Sequence, residues 1–191
     1  MIAAFDVHYL EDGRASAAAV LFSDYSDSEP EAVYTKFIAA GAADYIPGEL
    51  YRRELPCILT LLKQINKALD EMIVDGYVML GNKPGLGQHL FESFDGKIPV
   101  IGVAKSKFEG SSGAKVFRGG SIRPLYVTSA GMEQKKASER IRMMHGAYRV
   151  PTLLKRVDLL ARGNAQRIRL DCVSVANHNL NRLLDKPGYY I

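Results

Sequence analysis

The sequence predicts an α/β domain built on a mixed β-sheet with helices packed against it. Two observations lead to this fold class. Three short apolar segments follow one another within the first 39 residues, separated only by turn-forming stretches, which is typical of an antiparallel meander. Apolar segments then alternate with stretches of helical periodicity, which is typical of parallel strands joined by helices.

The length and composition are those of one globular domain. Of the 191 residues, 47% are hydrophobic and 24% are charged, so the chain can bury a core and does not have a disordered composition. We expect residues 1–163 to form this domain, and the amphipathic tail of residues 164–191 to be helical and to pack on it. No apolar run approaches the roughly 18–20 residues that span a bilayer, and no signal-peptide pattern opens the chain. We therefore expect a cytoplasmic monomer without a membrane segment.

Residues 2–9, 15–22 and 31–39 are predicted to be the three strands of the meander. Glu11-Asp12-Gly13 has the residue types of a hairpin turn between the first two strands. A helix follows, with Pro56 in its first turn, where a missing N–H costs little. Its apolar face is predicted from five residues at spacings of three and four: Ile58, Leu61, Leu62, Ile65 and Leu69.

The remaining elements alternate between strands and helices. The predicted order is a strand over residues 72–80, a helix over 88–94, a strand over 98–104, edge strands at 115–117 and 124–128, and helices over 132–145 and 151–161. This order completes a sheet in which parallel strands follow the meander and helices flank both.

Charge is distributed very unevenly along the chain. The net charge is +4, but residues 1–104 hold 8 Lys and Arg against 15 Asp and Glu, whereas residues 105–156 hold 12 against 3. Such a basic block suggests an anionic partner such as nucleic acid, although solvated helix faces could also produce it. The acidic first half would suit a cation site.

Cysteine and histidine give no sign of a metal site. Cys57 and Cys172 lie far apart, without the spacing of a zinc site, so we expect two reduced thiols in a reducing cytoplasm. The four histidines show no ligand spacing and are expected to be structural or solvent-facing: His8, His89, His145 and His178.

Four acids stand out by their positions in the predicted elements. Asp6 and Asp75 are embedded in apolar strands, Glu54 lies at the start of a helix, and Asp158 lies on the helix after Pro151. Each could simply cap a helix, form a turn or face solvent. If they converge, a divalent cation such as Mg²⁺ or Mn²⁺ would be needed to neutralise them, and such a site can hydrolyse a phosphodiester.

Several short motifs recur in a fixed order over residues 2–160. They are Phe5-Asp6-Val7, Tyr45-Ile46-Pro47-Gly48 followed by Leu50, Arg53 and Glu54, Val74-Asp75-Gly76, Ile98-Pro99-Val100-Ile101-Gly102-Val103-Ala104-Lys105-Ser106, and Val150-Pro151 with Lys155 and Asp158. In these motifs the chain resembles the endonuclease V family of ribonuclease H-like nucleases, which cut nucleic acid near deaminated adenine (inosine). The resemblance implies a ribonuclease H-like fold and a role in DNA repair or RNA processing.

The resemblance also implies a role for each matching residue. Asp6, Glu54 and Asp75 would bind Mg²⁺ (or Mn²⁺), Asp158 would be a late acidic member of the site, and Lys105 would contact the scissile phosphate or the leaving group. The remaining residues would contact nucleic acid: Tyr45, Ile46 and Pro47 as a wedge beside a flipped base, Gly48, Leu50 and Gly76 as its pocket, and Arg53, Lys83 and Ser106 as further contacts.

The chain departs from the family pattern after Asp75-Gly76. Where the family continues with Gln-Gly and then His-Pro-Arg, this chain reads Tyr77-Val78-Met79-Leu80-Gly81-Asn82-Lys83-Pro84. Lys83 could replace the arginine, but the histidine is missing. Two alternatives therefore stay open: a nucleic-acid-binding module that no longer cuts, and a ribonuclease H-like nuclease of different specificity.

Overall fold

A computed structural model describes residues 1–11, 13–39 and 51–163 of the chain. In chain order the elements are β1 (Ile2–Tyr9), β2 (Ala15–Phe22), β3 (Ala32–Ile38), α1 (Tyr51–Leu62), β4 (Glu71–Asp75), β5 (Met79–Leu80), β6 (Lys83–Pro84), α2 (Leu86–Glu92), β7 (Val100–Ala104), β8 (Ala114–Val116), β9 (Leu125–Ala130), α3 (Gln134–Met143) and α4 (residues 152–163). None of the helices in these ranges is long and apolar enough to cross a membrane.

Seven of the described strands form one mixed sheet in the order β3-β2-β1-β4-β7-β9-β8. The first three strands pair antiparallel, as the meander predicts, and β1-β4 and β4-β7 pair parallel. Strands β9 and β8 then continue the sheet antiparallel. The predicted fold class, a meander followed by parallel strands between helices, is confirmed.

Helices cover both faces of the sheet. Side chains on a strand alternate between the two faces, so each strand contributes to both cores. On β1, Ala3 and Phe5 join the core beneath α1 and α2, while Ile2 and Ala4 join the core beneath α3 and α4. The next residue on the α4 face is Asp6, where the apolar pattern of β1 ends. A carboxylate is thus placed at the edge of the core, on a backbone fixed by two neighbouring strands.

The helix after the meander differs from its prediction at both ends. The described helix begins at Tyr51, so Pro56 lies inside it and not in its first turn. It ends at Leu62, so Ile65 and Leu69 are not helical, although both still pack against the core beneath α1. The apolar spacing indicated burial correctly, but burial alone does not require that the helix continue.

The strand predicted over residues 72–80 was also too long. Strand β4 ends at Asp75, and Gly76 has a φ of +136°, a backbone conformation that residues other than glycine rarely adopt. The chain turns there and forms the small hairpin β5-β6. Gly102 on β7 must be glycine because an added Cβ would lie 2.7 Å from the Gly76 carbonyl oxygen. The chain therefore leaves the sheet directly after Asp75.

Candidate active site

Two acids lie side by side where parallel strands end. Phe5 of β1 pairs with Val74 of β4, so Asp6 and Asp75, one residue further along each strand, are neighbours at the same edge of the sheet. The Asp6 carboxylate accepts a hydrogen bond from the Val7 backbone N–H at 2.9 Å. Open α/β sheets bind ligands at the carboxyl ends of such strands, so the position itself suits a site.

Helix α4 adds a third acid and Lys105 adds a cation. The Lys105 ammonium is 2.6 Å from Asp75 Oδ2 and 3.7 Å from Asp158 Oδ1. Arg162, one turn after Asp158 on the same helix, donates two hydrogen bonds to the Asp158 carboxylate at 3.0 and 3.1 Å. The end of β7, the end of β4 and helix α4 thus meet at one ion-pair cluster.

Helix α1 brings the fourth acid close to the first two. Burial, followed by the negative charges of Asp6 and Asp75, raises the pKa of Glu54 to about 8. Burial likewise raises the pKa of Asp6 to about 7, with contributions from the charges of Asp75 and Asp158. The structure therefore brings together all four acids that the sequence singled out.

Lys105 and Arg162 lower the pKa of Asp158, whereas the pKa values of Asp6 and Glu54 stay raised. Burial alone would raise the pKa of Asp158, but its hydrogen bond to Arg162 and the charges of Lys105 and Arg162 lower it. Burial also works against the Lys105 ammonium, but the hydrogen bond and charge of Asp75 outweigh it and raise the pKa of Lys105. Asp158 and Lys105 are thus charged at neutral pH, whereas Asp6 and Glu54 tend to hold protons.

This donor set fits a hard divalent cation in its chemistry. Carboxylate oxygens are the ligands that Mg²⁺ and Mn²⁺ prefer. Burial and the neighbouring acids raise the pKa values of Asp6 and Glu54, and a bound cation would oppose that rise. A cavity of about 30 Å³ is lined by Asp6, Asp75 and Asp158, which is space for about one water-sized group. Within the described ranges, no three acidic, histidine or cysteine side chains already stand as a ready-made metal site. Binding would require the carboxylates to draw in and Lys105 to give way.

The other residues expected to contact nucleic acid are dispersed. Arg53 lies with its guanidinium carbon 4.1 Å from the centre of the Tyr9 ring, next to Glu54 on α1. Lys83 is exposed on the β5-β6 hairpin, and Ser106 is exposed directly after Lys105. Tyr45, Ile46, Pro47, Gly48 and Leu50 lie outside the described residues, as does the predicted tail of residues 164–191.

Two histidines in the described ranges, His89 and His145, contact residues of neighbouring helices. His89 stacks on Tyr51 with ring centres 3.9 Å apart, and its Nδ1 is 3.8 Å from Glu92. His145 Nδ1 is 3.0 Å from the Thr152 hydroxyl, which joins the end of α3 to the start of α4. His178 lies outside the described residues.

Sequence reasoning missed the residues that hold the cluster in place. Arg162 could have been found, because Asp158 and Arg162 have the i,i+4 spacing at which opposite charges pair on a helix. Arg149 gave no such signal: it donates to the backbone carbonyls of Lys105 and Pro124, which only the fold brings near it. Thr128 on β9 accepts a hydrogen bond from the Val78 N–H at 2.9 Å and so fixes the turn after Asp75.

Solved structures resemble the whole described architecture. Endonuclease V from Streptomyces avermitilis matches with a TM-score of 0.73 and 23% identity, over 88% of this chain and 82% of that one. Ciona intestinalis endonuclease V, in complex with a 24mer DNA containing an inosine followed by a ribo-adenosine, matches with a TM-score of 0.74 and 17% identity, over 87% and 86%. The described fold is therefore the one that these endonuclease V structures share.

Sequence comparison adds the family. Residues 1–150 match the family model for Endonuclease V, and the chain belongs to this family. The endonuclease V of Xanthomonas axonopodis pv. citri (strain 306) is 31% identical over 112 residues, or 58% of this chain. That match covers 46% of the relative, so the chain spans somewhat less than half the length of this curated protein.

Proposed function

We propose that this protein is a Mg²⁺-dependent endonuclease that hydrolyses a phosphodiester bond in nucleic acid near a deaminated base such as inosine. The observation that carries the proposal is the meeting of Asp6, Glu54 and Asp75 around one sheet edge, where burial and the neighbouring acids raise the pKa values of Asp6 and Glu54. A purely structural cluster of acids would be expected to have matched cations, because uncompensated burial of carboxylates costs stability.

Asp6, Glu54 and Asp75 would hold the cation, with Mn²⁺ as a substitute for Mg²⁺. When bound, such an ion neutralises the carboxylates and supplies the Lewis acidity that activates water and stabilises charge on the phosphate. The family membership of the chain supports the same assignment.

Lys105 and Asp158 would act on either side of the reacting phosphate. The Lys105 ammonium stays protonated because Asp75 raises its pKa, so it is able to neutralise a phosphate oxygen or the leaving oxygen. Asp158 stays ionised because Arg162 and Lys105 lower its pKa, so its carboxylate is able to orient the attacking water. Arg162 would act as a positioning residue, since it contacts Asp158 and not the acids that would hold the cation.

Contacts to the strand would come from the basic block and from the motifs shared with the family. Residues 105–156 carry 12 Lys and Arg against 3 Asp and Glu, so binding should weaken steeply as salt rises. Tyr45, Ile46 and Pro47 would wedge beside the flipped base, and Gly48, Leu50 and Gly76 would line its pocket. Further contacts would come from Arg53, Lys83 and Ser106. A related protein, the Ciona enzyme, has been crystallised on inosine-containing DNA, which supports this choice of substrate.

A second candidate is a nuclease of the same mechanism without preference for inosine. It is favoured by the segment after Gly76, where Tyr77 and Val78 are buried and the family's histidine is absent. The Tyr77 hydroxyl donates to the Ser106 carbonyl at 2.8 Å and accepts from the Phe108 N–H at 3.0 Å, so this side chain is committed to the protein. Base recognition would then depend on other residues.

The test is cleavage of labelled DNA and RNA oligonucleotides with and without one inosine, in Mg²⁺, in Mn²⁺ and in EDTA. We expect metal-dependent cutting near inosine, and we expect Asp6→Asn to lower the rate by at least about a hundredfold, because it removes a charge needed at the reacting centre. Asp95→Asn is the matched control, since Asp95 is an exposed acid that pairs with Lys97 at 3.1 Å.

Each other outcome has a distinct meaning. Cutting without preference for inosine selects the second candidate. Binding without cutting in either metal would overturn the nuclease assignment and leave a binding module. Equal cutting by Asp6→Asn and the wild type would show that the acids do not form the active site.

A further inference from the structure

A second cleft opens directly beside the acid cluster. It has a volume of about 480 Å³, within the range of about 300–1,000 Å³ that holds small-molecule ligands. Lys105 and Asp158 form one side, and Tyr148, Arg149 and Lys155 form another. Gly76, which we expect to help receive a flipped base, does not line it. The cleft shares Lys105 and Asp158 with the acid cluster.

The backbone around this cleft is fixed by one buried arginine. Arg118, which follows β8, is 8% exposed and donates hydrogen bonds to four carbonyl oxygens at the end of α3 and in the segment that follows it. The acceptors are the carbonyls of Arg142, Met144, Gly146 and Tyr148. Gly119 has a φ of +57° and lies so close to Ala147 and Tyr148 that an added Cβ would clash with their backbone. The two loops therefore form one rigid wall.

On this rigid wall an aromatic ring is left open to solvent. The Tyr148 side chain is 74% exposed, although its own carbonyl is held by Arg118 at 3.3 Å. The Lys155 ammonium lies 5.9 Å from the centre of the Tyr148 ring. Arg149 is held by its bonds to the carbonyls of Lys105 and Pro124. Three cations and one exposed ring thus surround a cleft that has one carboxylate, Asp158.

Exposed aromatic rings interleaved with cations are the usual means of binding single-stranded nucleic acid. The base stacks on the ring, and the cations neutralise the backbone phosphates on either side. A base inside a duplex is already stacked and paired, so its face is not available to such a ring. The occupant that fits this chemistry is an unpaired nucleotide.

We propose that the cleft beside the acids binds one unpaired nucleotide adjacent to the scissile phosphate, with its base stacked on Tyr148 and its phosphate facing Lys155 and Arg149. This inference rests on the proposed function, because that function places the scissile phosphate at Lys105. The protein would then prefer substrates in which the strand next to the cut is single-stranded or easily frayed.

The test measures binding in EDTA, which separates it from cleavage. Fluorescence anisotropy would be recorded for a single-stranded DNA and for the blunt duplex of the same sequence, with wild type, Tyr148→Ala and Tyr148→Phe. Loss of one base-stacking contact should weaken single-strand binding by on the order of tenfold in Tyr148→Ala and leave duplex binding within about twofold. Tyr148→Phe should bind like wild type, because the stacking ring is retained.

A matched control removes charge from a different place. Lys63 is exposed just after α1, on the opposite side of the sheet, so Lys63→Ala should lower both affinities only slightly and equally. Equal losses on single strand and duplex in Tyr148→Ala, or a Tyr148→Phe variant as weak as Tyr148→Ala, would overturn the stacking site. If Tyr148→Ala bound single-stranded DNA as tightly as wild type, the stacking site would be overturned as well.

Parallel cleavage reactions in Mg²⁺ distinguish this inference from the proposed function. If the wild type does not cut but single-strand binding depends on the Tyr148 ring, the nuclease assignment fails and the nucleotide site stands. If the wild type cuts and the ring has no effect on binding, the nuclease stands and the nucleotide site is wrong.

Discussion

Strand β4 begins and ends with an acid, and the two acids have opposite surroundings. At its start, Glu71 forms an ion pair with Arg140 and accepts a hydrogen bond from the Tyr25 hydroxyl at 2.6 Å. At its end, Asp75 has the Lys105 ammonium at 2.6 Å but shares that cation with Asp158, while Asp6 and Glu54 lie close by. Among the described residues, one end has a matched pair, whereas the other has four acids and three cations: Lys105, Arg162 and Arg53.

The difference separates an acid whose charge is matched within the protein from a cluster of acids in which two pKa values are raised. At Glu71 the charge and the hydrogen bonds are satisfied within the protein, and the pair joins α3 to the sheet. At Asp75, burial first and then the charges of the neighbouring carboxylates raise the pKa of Asp6 to about 7 and of Glu54 to about 8. Buried carboxylates with raised pKa values are typical of functional sites, where a bound ligand can neutralise them. We therefore place the reaction at the Asp75 end of β4.

The largest expected effects come from changing Asp75 and Glu71, the acids at the two ends of β4, each to its amide. Asp75→Asn should lower cleavage by at least about a hundredfold, because it removes one of the expected cation ligands. Its free energy of unfolding should change by less than about 1 kcal/mol, since the pair with Lys105 is partly exposed and its loss is offset by weaker repulsion. Glu71→Gln should do the reverse: a loss of about 1–3 kcal/mol in stability, with a cleavage rate close to that of wild type.

Cleavage rates in Mg²⁺ and urea unfolding curves for both variants would check this contrast. Tyr25→Phe provides a control for the first end, because it removes only the hydrogen bond to Glu71 and leaves the ion pair with Arg140. The contrast would be wrong if Glu71→Gln lost as much activity as Asp75→Asn at unchanged stability.

A smaller effect is expected in the dependence of stability on pH. The pKa of Asp6 is about 7 in the folded protein, against about 4 in an unfolded chain. Between these values the folded protein binds more protons than the unfolded chain, so the free energy of unfolding falls as pH rises. The contribution of Asp6 is therefore present below about pH 4 and is lost as the pH approaches 7, with a size of about 1–3 kcal/mol.

Urea unfolding in EDTA at pH 5 and pH 8, for wild type and Asp6→Asn, isolates this contribution. The variant should lose less stability between the two pH values, because its amide does not titrate. Adding Mg²⁺ at pH 8 should stabilise wild type more than the variant. An identical pH dependence in both proteins would show that Asp6 is not the strained group.

The smallest expected effect concerns Arg162, which contacts only the outer acid. Arg162→Gln should lower cleavage by a few-fold and leave single-strand binding nearly unchanged. Asp158 keeps its ion pair with Lys105 but loses both hydrogen bonds from Arg162. Stability should change by only a few tenths of a kcal/mol, as is usual for an exposed i,i+4 pair.

Arg156→Gln is a matched control on the same helix. Arg156 forms its ion pair with Glu29, away from the acid cluster, at 2.5 Å. Its loss should therefore leave the cleavage rate at saturating substrate near that of wild type, although it removes one charge of the basic block. Equal reductions in both variants would mean that Arg162 contributes general positive charge and does not position Asp158.

The sequence determined the fold class and the identity of the central acids. Alternating apolar segments separated by turn residues fix strands and their buried faces, because a strand exposes every second side chain to the same face. An acid such as Asp6 inside such a segment is conspicuous on its own. The ordered motifs that resemble the endonuclease V family then linked Asp6, Glu54, Asp75, Lys105 and Asp158 before any distance was known.

Only the tertiary structure decided how these residues meet and what surrounds them. The neighbouring positions of Asp6 and Asp75 depend on the pairing of β1 with β4, which are separated by more than sixty residues. The end of β4 at Asp75 depends on the close approach of Gly76 and Gly102. The shared cation of Asp75 and Asp158, and the wall that Arg118 builds beside them, are long-range contacts without a local pattern. Local periodicity records which face of an element is buried, whereas charge balance depends on which elements pack together.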